Sequence, residues 1–205
     1  MFLAIITQPA VFSGEVEYLE GLLEAGVEKL HLRKPGLERK EMEVLLERLA
    51  PRWAARLVVH GFFDLAVRYA VPQIHGGVGS MRAVGALGSA GSVSMATLAA
   101  STSVHSWEEL RALPQEVAYS FISPLFDSIS KPGYGANKTL LRQPSGPFPC
   151  MPVGLGGVSA DTIGEMIRHG WKGAAVLGWI WEQPRDAVRR YEQLKKIIDG
   201  QGIPG

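Results

Sequence analysis

Histidines are the side chains of this 205-residue chain with the clearest potential for chemistry. An imidazole titrates near neutral pH, so it can exchange a proton with a substrate, and in its neutral form it can bind a metal ion. Four of the five stand at or just after the end of a short apolar run: His31, His60, His75 and His105. This placement favours proton transfer or ligand binding at one shared site.

Other polar side chains occupy similar positions. Arg33 and Lys34 follow an apolar run in LHLRKPG, and Ser123 ends another. If the strand alternates, only one of the two cations points into a shared site. A guanidinium can hold a carboxylate or phosphate through two parallel hydrogen bonds, which an ammonium cannot. We therefore expect substrate to be bound by Arg33, Lys34, His60, His75 and Ser123.

Paired glycines near the end of the chain predict a phosphate site. In GLGGVSADT an apolar run ends in two glycines, and Ser159 or Asp161 can cap the helix that follows. Backbone N–H groups in such a loop, with the helix dipole, attract anions. A second half of the site is expected in AVLGWIW. The alternative is that the glycines only form tight turns. The residues assigned to phosphate are Gly156, Gly157, Gly178 and Trp179.

A metal centre is a further alternative, because His60, His75 and His105 follow consecutive apolar runs and three imidazoles can bind zinc. No Asp or Glu stands at a predicted strand end to complete or orient that set, and Mg²⁺ prefers carboxylates. The sequence therefore predicts a site without a metal or cofactor.

Eight short apolar runs alternate with stretches of helical periodicity along the chain. This rhythm predicts a parallel sheet, and eight units in so short a chain favour one closed (β/α)8 TIM barrel over residues 1–205. An open doubly wound sheet is the alternative. The fifth run is the least well defined, and with it the direction in which His105 faces. The predicted strands are 2–7, 27–32, 57–59, 73–75, 97–102, 118–122, 152–155 and 173–177.

Composition excludes several classes of protein. The formal net charge is +1, from 21 basic and 20 acidic residues, so no summed field attracts a polyanion and nucleic acid is not expected as a partner. No apolar run approaches the length of a membrane span, and the first residues lack the pattern of a secretory signal. A cytoplasmic protein is expected. Its single cysteine, Cys150, excludes an internal disulfide and predicts a small buried side chain.

Seven motifs in order, at the ends of successive predicted strands, resemble the family of thiamin phosphate synthases and TenI-type thiazole tautomerases. The resemblance extends across nearly the whole chain. The motifs are LHLRKPG, VVHGFFDLA, IHGG, STSVHSWEEL, FISPLFDSISKPGYG, PVGLGGV and GAAVLGWIW. The resemblance implies a TIM barrel that acts on a thiazole phosphate in thiamin biosynthesis. It also implies that Ser128, Ser130 and Lys131, which resemble a Thr-x-Thr-Lys pattern of the synthases, contact substrate.

The two branches of this family differ in chemistry. Synthases displace pyrophosphate from a pyrimidine donor with Mg²⁺, and they carry aspartates after the third and fourth strands. In this chain those places resemble His60-Gly61-Phe62 and the segment 76–81, without either carboxylate. The tautomerases resemble the chain at SVHS, where His105 matches their proton-transferring histidine. This comparison favours a metal-independent tautomerase with His105 as the catalytic residue.

Three hypotheses therefore stand. The first is the tautomerase, which moves a proton within a carboxythiazole phosphate. The second is a divergent, Mg²⁺-dependent synthase with relocated ligands such as Asp127, and the third is a binder or regulator that does not turn over substrate. Barrels of this family often pair, so a homodimer is compatible with the sequence, although no face declares itself as the interface.

Overall fold

The structure is a computed structural model that describes residues 1–79, 98–127 and 137–200. Eight parallel strands pair in chain order and close into a barrel, since β1 pairs with β8 as well as with β2. The predicted (β/α)8 fold is confirmed. The strands are Phe2–Ile6 (β1), Lys29–Leu32 (β2), Leu57–His60 (β3), Gln73–His75 (β4), Ala99–Val104 (β5), Val117–Ile122 (β6), Met151–Gly154 (β7) and Gly173–Val176 (β8).

Helices follow most of these strands, together with 3-10 turns at Ala54–Arg56 and Pro184–Asp186. The sequence also predicts a helix over 80–87, and that segment lies outside the described residues. None of the described helices is long and apolar enough to cross a membrane. The α-helices are Glu15–Glu24 (α1), Arg39–Trp53 (α2), Phe63–Arg68 (α3), Trp107–Arg111 (α4), Lys138–Leu141 (α5), Ile163–Arg168 (α6), Gly178–Trp181 (α7) and Ala187–Ile198 (α8).

Each strand is buried on both faces, as expected for a parallel barrel wrapped in helices. In β1 the side chains of Leu3 and Ile5 pack outward against the helical layer, whereas Ala4 and Ile6 face the barrel interior. The barrel interior contains a cluster of aliphatic and aromatic side chains. Its members are Ala4, Ile6, Tyr119, Phe121, Val153 and Ala175.

The fifth strand, which the sequence placed least well, is Ala99–Val104 and not 97–102. It pairs with β4 and β6, with a register shift between Ala100 and Ser101. The following helix is capped by Ser106, whose hydroxyl accepts a hydrogen bond from the amide of Glu109. His105 therefore lies in the one-residue gap between the end of β5 and the cap of α4.

Candidate functional site

Three histidines point into the barrel near the carboxyl ends of its strands. Strand alternation explains this direction. Leu30 and Leu32 of β2 pack outward, so His31 between them points inward. The same parity turns His60 inward after Val59 in β3, and His75 inward after Ile74 in β4. The barrel mouth is the usual place for the active site of this fold.

His31 is the deepest of the three, with no exposed surface, and it connects the interior to the mouth. Its Nδ1 lies 2.9 Å from Nε2 of His60, and its Nε2 lies 2.8 Å from the hydroxyl of Tyr119. A neutral imidazole carries one N–H and one lone pair, so His31 donates at one end of this chain and accepts at the other. The direction of donation along the hydrogen-bonded series Tyr119–His31–His60 can therefore be reversed by proton transfer.

Both ring nitrogens of His75 have a hydrogen-bond partner. Its Nδ1 lies 2.9 Å from the hydroxyl of Ser101, which also lies 3.2 Å from the carbonyl oxygen of Ile74. When the single hydrogen of that hydroxyl goes to the carbonyl, His75 Nδ1 is the donor to Ser101. The Nε2 atom then carries the lone pair and accepts from the hydroxyl of Ser103 at 3.0 Å.

Burial keeps the three rings neutral. Desolvation lowers the pKa of His60 to about 2 and that of His75 to about 4, and it lowers the pKa of His31 well below its ordinary value. The positive charge of Arg33 acts in the same direction on His60 and His75. The cluster therefore presents lone pairs and N–H groups rather than cations.

The two adjacent cations after β2 have separate positions. Arg33 is exposed and its charge acts on His60 and His75, which places it at the mouth. Lys34 is buried, and its ammonium pairs with Glu15 of α1 and donates to the carbonyls of Gln8 and Ala10 at 2.7 and 2.9 Å. All three N–H donors of Lys34 are engaged, so its expected role in binding substrate does not fit its position.

His105 is exposed at the end of β5. Its Nδ1 lies 3.0 Å from the carbonyl oxygen of Ser123, which can only accept, so Nδ1 carries the proton and Nε2 carries a lone pair. The backbone amide of His105 donates to the carboxylate of Glu109 at 2.7 Å. The ring is thus oriented as a general base. Ser123 contributes to the site through its carbonyl and begins a cis peptide bond to Pro124.

The paired glycines after β7 allow a turn and close packing between loops. The sequence analysis gave tight turns as the alternative to phosphate binding. Gly156 and Gly157 have φ values of 100° and 63°. A Cβ atom on Gly157 would lie 2.4 Å from the carbonyl oxygen of Asp127, and one on Gly156 would lie 2.9 Å from Cα of Pro124. Their own amides meet no acceptor among the described residues, so they remain candidates for binding an anion.

Gly178 begins α7, and Trp179 follows it. The carbonyl of Trp179 accepts a hydrogen bond of 2.5 Å from Arg190, whose guanidinium also lies 5.1 Å from the centre of the indole ring. A small cavity of about 240 Å³ adjoins these groups, with Arg189 among its lining residues. Arg189 and Arg190 lie in α8 and not at a strand end, so the sequence pattern did not point to them.

A larger cavity of about 600 Å³ lies beside the loop after β6. Asp127, Asp161 and Glu165 line it together with Arg142 and His169. Asp127, the carboxylate named in the divergent-synthase hypothesis, therefore lines the same cavity as two other carboxylates. The remaining expected contacts, Ser128, Ser130 and Lys131, lie outside the described residues.

Comparisons with known proteins agree with this architecture. The family model described as thiamine monophosphate synthase matches residues 3–180. The chain is 26% identical over 193 residues to the thiamine-phosphate synthase of Serratia proteamaculans, covering 91% of this chain and 89% of that protein. It is 27% identical over 183 residues to the thiamine-phosphate synthase of Proteus mirabilis, covering 82% of each.

Solved structures show the same likeness. The thiamine phosphate pyrophosphorylase of Bacteroides thetaiotaomicron superposes with a TM-score of 0.72 at 25% identity, covering 99% of this chain and 100% of that one. The thiamine phosphate pyrophosphorylase of Pyrococcus furiosus has a TM-score of 0.74 at 20% identity and supports the fold alone. With the barrel, the mouth and the matched length in agreement, the chain belongs to the thiamine monophosphate synthase family, which includes the TenI-type proteins.

Proposed function

We propose that the chain joins a thiazole phosphate to a pyrimidine diphosphate and releases pyrophosphate. The observation that carries this proposal is the match to proteins named thiamine-phosphate synthase over about nine-tenths of both chains. In this reaction the thiazole nitrogen forms a bond to the pyrimidine methylene carbon while the bond from that carbon to the pyrophosphate oxygen breaks. The proposal reverses the order of the two enzyme hypotheses that the sequence favoured.

The described residues supply two binding functions for this reaction. The amides of Gly156 and Gly157 bind the thiazole phosphate, since they have no acceptor within the described part of the chain. The Arg33 guanidinium at the mouth binds the diphosphate, whose departing negative charge it stabilises. His60 is neutral, and its Nε2 contacts His31, so its Nδ1 is the ring nitrogen that can form a hydrogen bond to a ring atom of a substrate.

The Mg²⁺ site that the synthases use does not fit the residues present. The ends of β3 and β4 carry imidazoles, whereas Mg²⁺ requires oxygen ligands. Asp64, the first carboxylate after β3, is turned outward and pairs with Arg39 at 3.1 Å. Segments 80–97 and 128–136 contain neither Asp nor Glu. The ends of β3 and β4 therefore offer no suitable ligand for Mg²⁺. Asp127 is the carboxylate to test as a relocated ligand.

A second candidate, the thiazole tautomerase, is favoured by the geometry of His105. Its Nδ1–H is fixed on the Ser123 carbonyl, which leaves Nε2 free to take a proton from ring carbon of a carboxythiazole phosphate. Arg33 then holds the carboxylate in place of a diphosphate. This reaction requires no metal ion, and it accommodates the absence of aspartates at the ends of β3 and β4.

One assay separates the two candidates. Pyrophosphate release is measured with the pyrimidine diphosphate and thiazole phosphate together, with each alone, and with Mg²⁺ either present or removed by chelator. Release that requires both substrates supports the synthase, and Asp127→Asn then tests the relocated ligand. Conversion of the carboxythiazole phosphate without any pyrophosphate release, lost in His105→Gln, supports the tautomerase instead. Binding of thiazole phosphate without either reaction would overturn both and leave the non-catalytic binder.

A further inference from the structure

The three inward histidines form a cluster whose geometry goes beyond substrate binding. His31, His60 and His75 each offer one ring nitrogen, and these three atoms all lie within 4.8 Å of one another. We infer that the three side chains form a binding site for a divalent transition-metal ion of the Zn²⁺ type, set into the barrel axis below the mouth. The site does not depend on which of the two reactions the chain performs.

The nitrogen–nitrogen spacing that an ion requires lies within the range observed, which extends up to 4.8 Å. A tetrahedral ion with bonds of 2.0–2.1 Å needs ligand nitrogens about 3.3 Å apart. His31 Nδ1 and His60 Nε2 are already 2.9 Å apart. The rings of His60 and His75 stack with centroids 4.3 Å apart, so their nitrogens lie side by side. The inferred site requires these two rings to tilt so that the lone pairs of the three nitrogens converge on the ion.

Each ligand nitrogen is available in the neutral state. His75 Nε2 carries a lone pair when Nδ1 donates to the Ser101 hydroxyl, and the ion would replace the Ser103 hydroxyl on Nε2. His31 presents its lone pair at Nδ1 when its proton moves to Nε2 and is donated to the oxygen of Tyr119. Binding therefore requires His31 in this tautomer, and it displaces no cation.

Two of the three ligands already have the outer partners that metal-binding histidines normally show. The second ring nitrogen of such a histidine usually donates to an oxygen that fixes its orientation. Ser101 does this for His75, and Tyr119 does it for His31. The sequence analysis considered only the set His60, His75 and His105, and predicted no metal because no carboxylate stood near to orient it. The structure replaces His105 by His31 and supplies the partners from β5 and β6.

The donor set determines the kind of ion. Three neutral imidazoles suit Zn²⁺, Co²⁺ or Ni²⁺, whereas Mg²⁺ prefers oxygen. Three protein ligands leave a fourth position, and here that position faces the mouth, where the Arg33 charge favours an anionic occupant. A phosphate or carboxylate oxygen of a substrate would fit it.

The test is direct metal binding by the whole chain. Protein freed of metal by chelator is titrated with Co²⁺, whose visible absorption reports tetrahedral nitrogen coordination, and Zn²⁺ affinity is measured by competition with a chromophoric chelator. We expect one ion per chain, a tetrahedral Co²⁺ spectrum that Zn²⁺ abolishes, and no displacement by Mg²⁺. No binding, or a spectrum of an octahedral ion, would overturn the inference.

Matched variants locate the ion. His60→Ala, at a half-buried position, should weaken Zn²⁺ binding by roughly 100-fold or more, while Tyr119→Phe should weaken it by about 10-fold to 100-fold, as expected for loss of an orienting partner. His169→Ala, an exposed histidine at the end of α6, should retain full affinity. Circular dichroism checks that each variant is folded. Equal affinity in His60→Ala and His169→Ala would overturn the assignment.

Discussion

The two halves of the barrel mouth present polar groups in different ways. After β2, β3 and β4 the groups are side chains, and neighbouring residues have separate tasks: Arg33 faces the mouth whereas Lys34 supports the loop from below. After β7 the groups are backbone amides of Gly156 and Gly157, and the same two residues also permit the close packing of loops. Substitutions can separate binding from stability in the first half but not in the second.

The largest effect on stability is expected at the buried ion pair of Lys34 and Glu15, which lies beneath the loop after β2. Burial raises the pKa of Glu15 and lowers that of Lys34, and their pairing reduces both shifts without cancelling them. Lys34→Met should lower the free energy of unfolding by about 3–5 kcal/mol, because it leaves a buried carboxylate without its cation. Urea denaturation measures this. The double variant Glu15→Leu with Lys34→Met should recover part of the loss, and no recovery would argue against the pairing as the cause.

Substitution of a glycine in the loop after β7 should reduce both stability and phosphate binding. Gly157→Ala forces a Cβ against the Asp127 carbonyl at a positive φ, which should cost about 2–4 kcal/mol and weaken binding of inorganic phosphate. Denaturation and calorimetry measure the two effects. Gly61→Ala has a φ of 69° but open space around it, and Gly36→Ala has neither problem. The three should rank in that order, and an unaffected Gly157→Ala would remove the packing argument.

A smaller loss is expected inside the histidine cluster. Tyr119→Phe leaves Nε2 of His31 without a partner in a buried site, which should lower the free energy of unfolding by about 1–2 kcal/mol. Denaturation in the presence of chelator measures this in the metal-free protein. Phe2→Leu, which changes the ring that packs on Tyr119 but no hydrogen bond, is the control. If both variants lose stability equally, the hydrogen bond contributes nothing measurable.

The smallest change in stability is expected at Arg33. Arg33→Met keeps the backbone hydrogen bonds to Thr7 and should alter the free energy of unfolding by less than about 0.5 kcal/mol. It should weaken binding of inorganic pyrophosphate about tenfold, as expected when a charge-assisted hydrogen bond is lost. Arg48→Met, an exposed arginine of α2, should change neither quantity. A loss of stability in Arg33→Met would erase the contrast with Lys34.

Sequence periodicity was sufficient to predict the barrel because strands and helices alternate regularly in the described part of the chain. It was also sufficient to place polar groups at the strand ends. It did not predict that His31 rather than His105 joins His60 and His75, because the stagger between neighbouring strands decides which inward positions meet. Inward parity alone would have pointed to His31, which lies between two outward leucines. The burial of Lys34 depends on contacts with α1 that no local pattern encodes.

Closure of the barrel has a consequence for the synthesis of the chain on the ribosome. β1 pairs with β8 through Phe2 and Gly173, and the indole N–H of Trp181 donates to the carbonyl of Ile6 at 2.7 Å. One edge of β1 therefore has no partner until β8, which begins about 170 residues after Phe2, has been translated. A nascent chain stalled before residue 173 should remain open to proteolysis and to chaperones that bind exposed strands.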